Sequence, residues 1–465
     1  MKYESFKQSI RQAAESISKI DKKDAVRIIS HLDSDGITSA AILINALNKH
    51  NIKYSLSIVQ QLGLDVIEQL SKEPFKHIVF TDIGSGQLLL IKEKLKNKKV
   101  FIFDHHEPES KETFEEVVHV NPHLYGIDGA KEISGSGVVY LVTKEMNSGN
   151  TDMAHIAVIG ALGDIQEHHG FLKLNNEILK EAVEQGKMKV INGLRVFGAQ
   201  TKPLHKILEY STEHYIPGVT GSESGAIAFL QQLGINPKLG NEWKRLVNLE
   251  DEELKKLATG LVIRRLGEEK PEHIIGPVYI LKNEKKGSPL RDAKEFSTLL
   301  NACGRLGRAS LGIGVCLNDE GMKKRAMKSL AKYKEEIIKF LKWYETSQDV
   351  LRDEAYIIIN SKDEIRASMI GTITSMIARS NPESLFILGM ARIGDGTTKV
   401  SIRIAQKRED INLVEIIKNI TNKTGGQSGG HMNAAGAVIS SETEDEFVKE
   451  AKKVLKKYAI EEFVD

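Results

Sequence analysis

The first 170 residues alternate short apolar segments with helix-like segments, and this alternation limits the possible folds of the 465-residue chain. The apolar segments 25–30, 54–59, 77–81 and 100–103 read as strands, with helices predicted over 37–50 and 87–96. Strands that alternate with helices of about a dozen residues indicate a doubly wound parallel sheet. Near-continuous apolar strands suit a sheet covered on both faces. We therefore predict an α/β fold built on this sheet.

The sequence pattern of the remaining chain indicates three further structural regions. Amphipathic helical runs such as 248–265 dominate the middle, and 320–348 reads as one long charged helix. Beyond residue 355 the α/β alternation returns, with strands over 356–359, 385–390 and 399–404 and helices over 370–379 and 414–422. We predict a first α/β domain over 1–190, a mainly helical insertion over 191–300, a connector with a long helix over 301–350, and a smaller α/β domain over 351–465.

Composition narrows the class of protein. The 65 basic and 63 acidic residues give a net charge of only +2, so nucleic acid would have to be bound through local basic clusters. No segment approaches the roughly 20 apolar residues of a membrane span, and the first residues lack a signal-peptide core. Cys303 and Cys316 are too few for a disulfide framework, and we expect both to be buried. We expect a cytoplasmic protein with no membrane partner.

Aspartates and histidines gather where the predicted strands end. Three strands are followed by such residues, and a fourth site follows the apolar run 156–162; the residues are His31, Asp33, Asp35, Asp82, Asp104, His105, His106 and Asp164. Ligands of open α/β sheets bind beyond the carboxyl ends of the strands. An extended HLDSDG segment would point alternate side chains to one side. A single aspartate there usually caps a helix, but capping does not explain the whole set.

The ligand types indicate which metal this edge of the sheet would hold. Carboxylate oxygen and imidazole nitrogen suit Mn²⁺ or Mg²⁺, and the absence of thiolate argues against a soft metal. Two such ions would clamp the attacking and leaving oxygens of a phosphoryl displacement. The sequence therefore predicts two-metal phosphoryl chemistry. His168 and His169, which follow Asp164, are expected at the surface instead.

These motifs resemble those of the DHH phosphoesterase superfamily. The resemblance implies that His31, Asp33 and Asp82 hold one ion, and that Asp82 bridges to a second ion. The second ion would be held by Asp35, Asp82, His105 and Asp164. The resemblance also implies that His106 faces the scissile phosphate and that Asp104 supports the histidine pair from behind.

The C-terminal region carries a second resemblance. The run TGGQSGGHMNAAG resembles the glycine-rich signature of the DHHA1 domain, which grips substrate in nucleases of this superfamily. Paired glycines allow close approach to phosphate, and the helix-like MNAA would present its amides to an anion. Lys399–Arg403 resembles the Ser-x-Arg strand of that domain, and the segment 300–308 resembles the Asn-Ala-x-Gly-Arg segment of RecJ exonucleases. The implied substrate-binding residues are Arg305, Arg403, Ser428, Gly429, Gly430 and His431.

Together the motifs resemble archaeal RecJ-like proteins. The resemblance implies a metal-dependent exonuclease on single-stranded DNA, with RNA as a further substrate, acting in DNA replication or repair. It implies a 5′ to 3′ direction, which no residue of the linear sequence shows, and an association with the GINS replication complex. Tyr210, Tyr215 and Trp343 are the candidates for base stacking. Two alternatives remain: a phosphodiesterase of short oligonucleotides or cyclic dinucleotides, and a replication scaffold with little catalysis.

Overall fold

The computed structural model describes residues 2–211, 213–406 and 410–460, with the side chains of His431 and Ile460 outside the described part. The chain divides into two compact units, Met1–Ser329 and Leu330–Asp465. Each is taken by itself below, and the finer four-part division stays a prediction. Among the described residues, none of the helices has the length and apolar character that a membrane span requires.

The first unit opens with a parallel five-stranded sheet and its helices. In chain order these elements are α1 (Lys2–Ser18), β1 (Ala25–His31), α2 (Ser34–Lys49), β2 (Lys53–Val59), α3 (Leu64–Lys72), β3 (His77–Thr81), α4 (Leu88–Lys94), β4 (Lys99–Phe103), β5 (Val117–Val120), α5 (Gly135–Met146), α6 (Ala154–Gly163) and α7 (Lys173–Glu184). The strand order is β2-β1-β3-β4-β5, and every pair is parallel.

Apolar side chains cover both faces of this sheet. On one face, α3 and α4 enclose a core that includes Ile29, Phe80 and Ile102. On the other, α2 packs against β1, α5 and α6, with most of its length buried. Because both faces are covered, the strands can be apolar throughout, as the sequence indicated. The predicted doubly wound fold is confirmed.

The remainder of the first unit is mainly helical. It contains β6 (Met188–Leu194), α8 (Leu204–Glu209), α9 (Glu223–Gln232), β7 (Lys238–Leu239), β8 (Glu242–Trp243), α10 (Asp251–Arg264), β9 (Ile275–Leu281), α11 (Ala293–Arg305), α12 (Ala309–Cys316) and the long α13 (Glu320–Thr346), which runs on into the second unit. Strands β6 and β9 pair antiparallel, and α8, α9 and α10 share a small apolar core. Cys303 and Cys316 are buried and unbridged, as expected.

The second unit is a six-stranded mixed sheet with helices. Its elements are β10 (Val350–Arg352), β11 (Tyr356–Asn360), α14 (Ala367–Ser380), β12 (Phe386–Arg392), β13 (Thr397–Ile404), α15 (Leu413–Thr424), β14 (Gln427–His431), β15 (Ala434–Ser440) and α16 (Glu444–Ile460). The order is β10-β11-β12-β13-β15-β14. Helices α15 and α16 cover one face over a core that includes Phe386, Ile417 and Phe447.

Two local expectations were wrong. The segment MNAA is not helical: β14 and β15 form an antiparallel hairpin in which Gly429 pairs with Gly436 and Gly430 with Ala435. Glycine suits position 436 of this hairpin because a Cβ there would lie 2.5 Å from the Val400 carbonyl oxygen. HLDSDG is not extended either, because α2 already begins at Ser34.

Gly304 generates a test of how tightly α11 packs. A Cβ there would lie 1.6 Å from the carbonyl oxygen of Leu32. Alanine is the better helix former by up to about 1 kcal/mol, but overpacking costs about 1–3 kcal/mol, so the clash should prevail. We expect Gly304→Ala to lower the unfolding free energy in urea titrations. Gly267→Ala, where a Cβ meets nothing within 4 Å, is the control, and equal stabilities of the two variants would contradict the packing.

Candidate metal centre

The acidic and imidazole side chains predicted from the strand ends converge at the carboxyl edge of the parallel sheet. His31 ends β1, Asp82 follows β3, Asp104 begins the segment after β4, and Asp164 caps the C-terminus of α6. Asp33 is the N-cap of α2, and its Oδ1 accepts a hydrogen bond from the Gly36 amide at 3.0 Å. The helix turn therefore brings Asp33 and Asp35 to the edge, where the sequence suggested an extended segment.

Three overlapping sets of side chains could each hold a cation: one consists of Asp82, His105 and His106, and the other two match the sets implied by the sequence resemblance. In one of these two sets the Nδ1 atom of His31 lies 2.8 Å from Asp33 Oδ2 and 3.7 Å from Asp82 Oδ2. In the other the Nε2 atom of His105 lies 3.0 Å from Asp164, 3.3 Å from Asp82 and 3.7 Å from Asp35. Within each set the candidate ligand atoms lie within 4.8 Å of one another. Asp82 is common to all three sets.

Asp82 is the residue that most clearly fits a bound cation. Its side chain is 1% exposed, and neither carboxylate oxygen accepts a hydrogen bond. Its charged neighbours are imidazoles, with nitrogens 3.3–3.9 Å from the carboxylate. A buried carboxylate without a hydrogen bond is costly, and native proteins rarely leave one. The backbone of Asp82 is left-handed, with φ of 60°, and its amide donates to the Phe103 carbonyl oxygen at 2.9 Å. Oxygen and imidazole donors around Asp82 match Mn²⁺ or Mg²⁺.

Hydrogen bonds orient the histidine pair. His105 donates from Nδ1 to the Gly129 carbonyl at 2.7 Å, which leaves Nε2 for the cluster. The buried Gln166 donates to the same carbonyl at 2.9 Å. Asp104 accepts from the Ser85 amide at 2.9 Å and from Nδ1 of His106 at 2.8 Å. The His106 side chain remains 38% exposed, so it can meet a ligand from solvent.

Asp35 is held from the opposite side by the start of α5. Its carboxylate accepts from the Gly135 amide at 2.7 Å, from the Ser136 amide at 3.1 Å and from the Ser136 hydroxyl. A Cβ at Gly135 would lie 2.6 Å from Asp82 Oδ1, and one at Gly160 would lie 2.4 Å from Asp35 Oδ1. Glycine at both positions therefore makes room for the carboxylates.

Helix α11 supports the segment that carries Asp33 and Asp35 from a distant part of the chain. The Oδ1 atom of Asn301 accepts from the Ser34 amide at 3.0 Å, and Gly304 lies against Leu32. Sequence reasoning missed Asn301, although the Asn-Ala-x-Gly-Arg resemblance was a signal. It also missed Ser136 and Gln166, which lie outside any motif.

In the absence of a cation, the close packing of acidic and histidine side chains shifts their pKa values. Burial, followed by repulsion from Asp164 and Asp82, holds the pKa of Asp35 well above its usual value. Burial likewise raises the pKa of Asp164. Burial opposes protonation of His106, but the carboxylate of Asp104 prevails and raises the pKa of His106 to about 9. Divalent cations would relieve the repulsion among the aspartates.

The predicted substrate-binding residues divide between the units. Arg305 lies in the last turn of α11. In the second unit, strand pairing places Arg403 opposite Ala434, and Ala434 opposite His431, whose side chain is outside the described part. The Arg403 guanidinium donates to the hydroxyls of Ser375 and Ser401, each at 3.0 Å. Ser428, Gly429 and Gly430 precede His431 on β14, and all three are exposed.

Models of three domain families match the chain in order. They describe the N-terminal domain of the DHH family over 25–163, the DHH-CID domain over 196–277 and the DHHA1 domain over 354–457. An uncharacterized protein of Methanocaldococcus jannaschii is 33% identical over 439 residues, 92% of this chain and 93% of that protein. The chain belongs to the DHH family. The predicted resemblance to DHH and DHHA1 proteins is thereby confirmed.

Solved structures share the fold of this DHH protein. RecJ in complex with Mn²⁺ from Thermus thermophilus has a TM-score of 0.60 and 17% identity, over 97% of this chain and 55% of that chain. This chain thus spans about half of that RecJ. CDC45 from Entamoeba histolytica has a TM-score of 0.62 and 13% identity, over 98% of both chains. A structure of exonuclease RecJ bound to manganese has a TM-score of 0.57 and 16% identity, over 96% of this chain and 94% of that chain.

The support from α11 generates a prediction for this DHH protein. Asn301→Ala removes the acceptor of the Ser34 amide, and the segment with Asp33 and Asp35 should loosen. We expect faster hydrogen exchange at Ser34 and an affinity for Mn²⁺ that falls about 10–100-fold, as for other supports of metal ligands. Calorimetry and exchange mass spectrometry would measure both. Thr298→Ala, which removes only a bond within α11, should change neither.

The His106 titration generates a second prediction. A folded-state pKa of about 9, above the ordinary 6.5, contributes stability below pH 6.5 that is lost as the pH rises towards 9. His31 and His105 shift in the same direction. In metal-free protein, His106→Gln should therefore weaken, without abolishing, the fall of the melting temperature over this range. The exposed His168→Gln is the control, and an unchanged slope in His106→Gln would refute the assignment.

Proposed function

We propose that this DHH protein is a two-metal phosphodiesterase that removes nucleotides from an end of single-stranded DNA. The observation that carries the proposal is the buried Asp82 carboxylate, shared by all three ligand sets and without a hydrogen bond of its own. Relatives in fold support it, because one is named an exonuclease bound to manganese and another was solved with Mn²⁺.

The proposed ligands follow two of the three sets in the structure. His31, Asp33 and Asp82 would hold one ion, and Asp35, Asp82, His105 and Asp164 would hold the other, as Mn²⁺ or Mg²⁺. When bound, the ions supply charge neutralisation at the phosphate and acidify a bound water. The Gly129 carbonyl fixes the ring of His105 so that Nε2 faces Asp82 and Asp164.

His106 is the proposed contact with the scissile phosphate. Asp104 accepts from Nδ1 of His106, and the His106 side chain is 38% exposed. In the metal-free protein the Asp104 carboxylate raises the pKa of His106 to about 9, which favours a protonated ring that can donate a hydrogen bond to a phosphate oxygen. Asp104 therefore acts by orienting His106 and by keeping it charged.

Phosphates along the strand would be bound by the second unit and by Arg305. Arg403 is presented in a fixed orientation by Ser375 and Ser401, which suits a guanidinium that meets phosphate. Gly429 and Gly430 expose backbone beside it, so a phosphate can approach closely. RNA as a substrate, the 5′ to 3′ direction and an association with the GINS complex stay predictions.

One observation favours a second candidate function. The fold of CDC45 from Entamoeba histolytica matches 98% of this chain, so a scaffold with little catalysis remains in consideration. A scaffold would have no need for the converging carboxylates and imidazoles, which is why we favour the nuclease. A phosphodiesterase of short oligonucleotides would use the same metal residues and would differ in its preference for substrate length.

Replacing Asp82 tests the nuclease against the scaffold. Asp82→Asn removes the shared charge, so hydrolysis of end-labelled single-stranded DNA in Mn²⁺ should fall by at least about a thousandfold, as expected when metal catalysis is lost. The variant should also lose the rise in melting temperature that Mn²⁺ gives the wild type, because ligands stabilise the state they bind. Labels at either end give the polarity. Asp65→Asn, at an exposed aspartate, is the control.

An inactive wild type that Mn²⁺ does not stabilise would favour the scaffold. Equal rates on a dinucleotide and on long strands would favour the short-oligonucleotide enzyme. Equal rates on blunt duplex and on single strands would contradict single-strand specificity.

A further inference from the structure

Two exposed aromatic rings of the DHH-CID region lie beside the same lysine side chain. Phe197 is 45% exposed and Tyr210 is 56% exposed. The Nζ atom of Lys202 lies 5.0 Å from the ring centre of Phe197 and 5.6 Å from that of Tyr210, so both rings flank one cation. Lys206 lies 5.6 Å from the Tyr210 ring as well. We call Phe197, Lys202, Lys206 and Tyr210 the aromatic patch.

The aromatic patch is held in place by a buried carboxylate. Glu295 of α11 is 3% exposed and accepts from the Gln200 amide at 2.8 Å and from the Thr201 hydroxyl at 2.5 Å. Gly198, with a φ of 91°, begins the turn, and its carbonyl accepts from the Lys202 amide at 2.8 Å. The loop between the two rings is therefore ordered before any ligand binds, which lowers the entropic cost of binding.

We propose that the aromatic patch is a stacking surface for the bases of single-stranded nucleic acid. This inference rests on the proposed function and adds a second contact to it. Bases of any sequence stack on aromatic faces, and cations beside the rings attract the phosphates between the bases. The ammonium of Lys202 is flanked by both rings, which is why Lys202 is the proposed phosphate contact. Pairing with Glu209 at 2.8 Å and Glu223 at 2.9 Å fixes Lys206 beside Tyr210.

The two other base-stacking candidates from the sequence, Tyr215 and Trp343, lie outside the aromatic patch. Tyr215 is also exposed, and Trp343 packs against Phe340 with ring centres 5.1 Å apart. A protein partner is the competing occupant of an exposed aromatic surface. A lysine beside both rings favours a ligand that carries both negative charges and flat bases, as single-stranded nucleic acid does. A protein ligand would match this combination of rings and cations only if its surface were acidic.

Helix α11 links the aromatic patch to the candidate metal centre. Glu295 holds the patch loop and Asn301 holds the segment of Asp33 and Asp35. The six-position offset between residues 295 and 301 corresponds to about 9 Å along a helix axis. Both sites are thus anchored on one helix, and in this proposal a strand with its end at the metal centre continues to the patch. The patch should matter for long strands and not for the shortest substrates.

Binding and hydrolysis by the full-length protein test this inference. Fluorescence anisotropy with a long labelled oligothymidylate in EDTA, where no cleavage can occur, gives the affinity. Phe197→Ala and Tyr210→Ala should each weaken binding about tenfold, the typical effect of one lost base stack. Lys202→Ala should also weaken it and reduce its salt dependence. The exposed Tyr54→Ala is the matched control.

Hydrolysis of a dinucleotide in Mn²⁺ should remain unchanged in all four variants, since it tests the metal centre alone. If the wild type binds long strands and the Phe197 and Tyr210 variants bind them equally well, the patch proposal is wrong and a protein partner becomes the better occupant. If the wild type hydrolyses no single strand and binds none, the proposed function fails first. A loss of dinucleotide hydrolysis in the variants would also overturn the inference, because it would reveal a general disturbance.

Discussion

The structure depends on one electrostatic constraint, which is that several carboxylates share a small buried volume. Asp82 accepts no hydrogen bond and faces imidazole nitrogens at 3.3–3.9 Å, and burial together with the neighbouring carboxylates raises the pKa of Asp35 and Asp164. Without a cation, this arrangement costs free energy. The fold nevertheless imposes it, through a left-handed backbone at Asp82 and glycines at 135 and 160 that make room for the carboxylates. Such strain at one edge of a sheet is typical of a site that is organised before its ligand binds.

The support of this edge comes from parts of the chain that are far apart. The Ser34 amide bonds to Asn301, 267 residues later, and the DHH-CID region lies between them. Helix α11 also holds that region through Glu295. The ligand segment is therefore complete only once α11 has docked on α2 and α6. The DHH-CID region and the parallel sheet should for this reason gain and lose order together.

The candidate ligands could be predicted from the sequence because strand ends in a parallel sheet share one edge, whatever the details of the loops. The fold class of both units followed from the alternation of apolar segments. What escaped prediction depends on tertiary contacts. MNAA has helix-forming residues, but strand pairing with β13 and β14 overrides them. Asn301, Ser136 and Gln166 act on loops distant in sequence, and no periodicity of hydrophobic residues records such a contact.

Asp33 explains why capping and metal binding are not competing interpretations of such aspartates. A carboxylate has two oxygens, and in Asp33 one accepts from the Gly36 amide as a helix cap while the other faces His31. The cap fixes the side-chain torsion of Asp33, so the second oxygen is directed towards the cluster with little remaining freedom. Helix initiation at Ser34 also turns Asp35 towards the start of α5. Capping at this strand end is therefore the local mechanism by which a short sequence motif directs its carboxylates to a common centre.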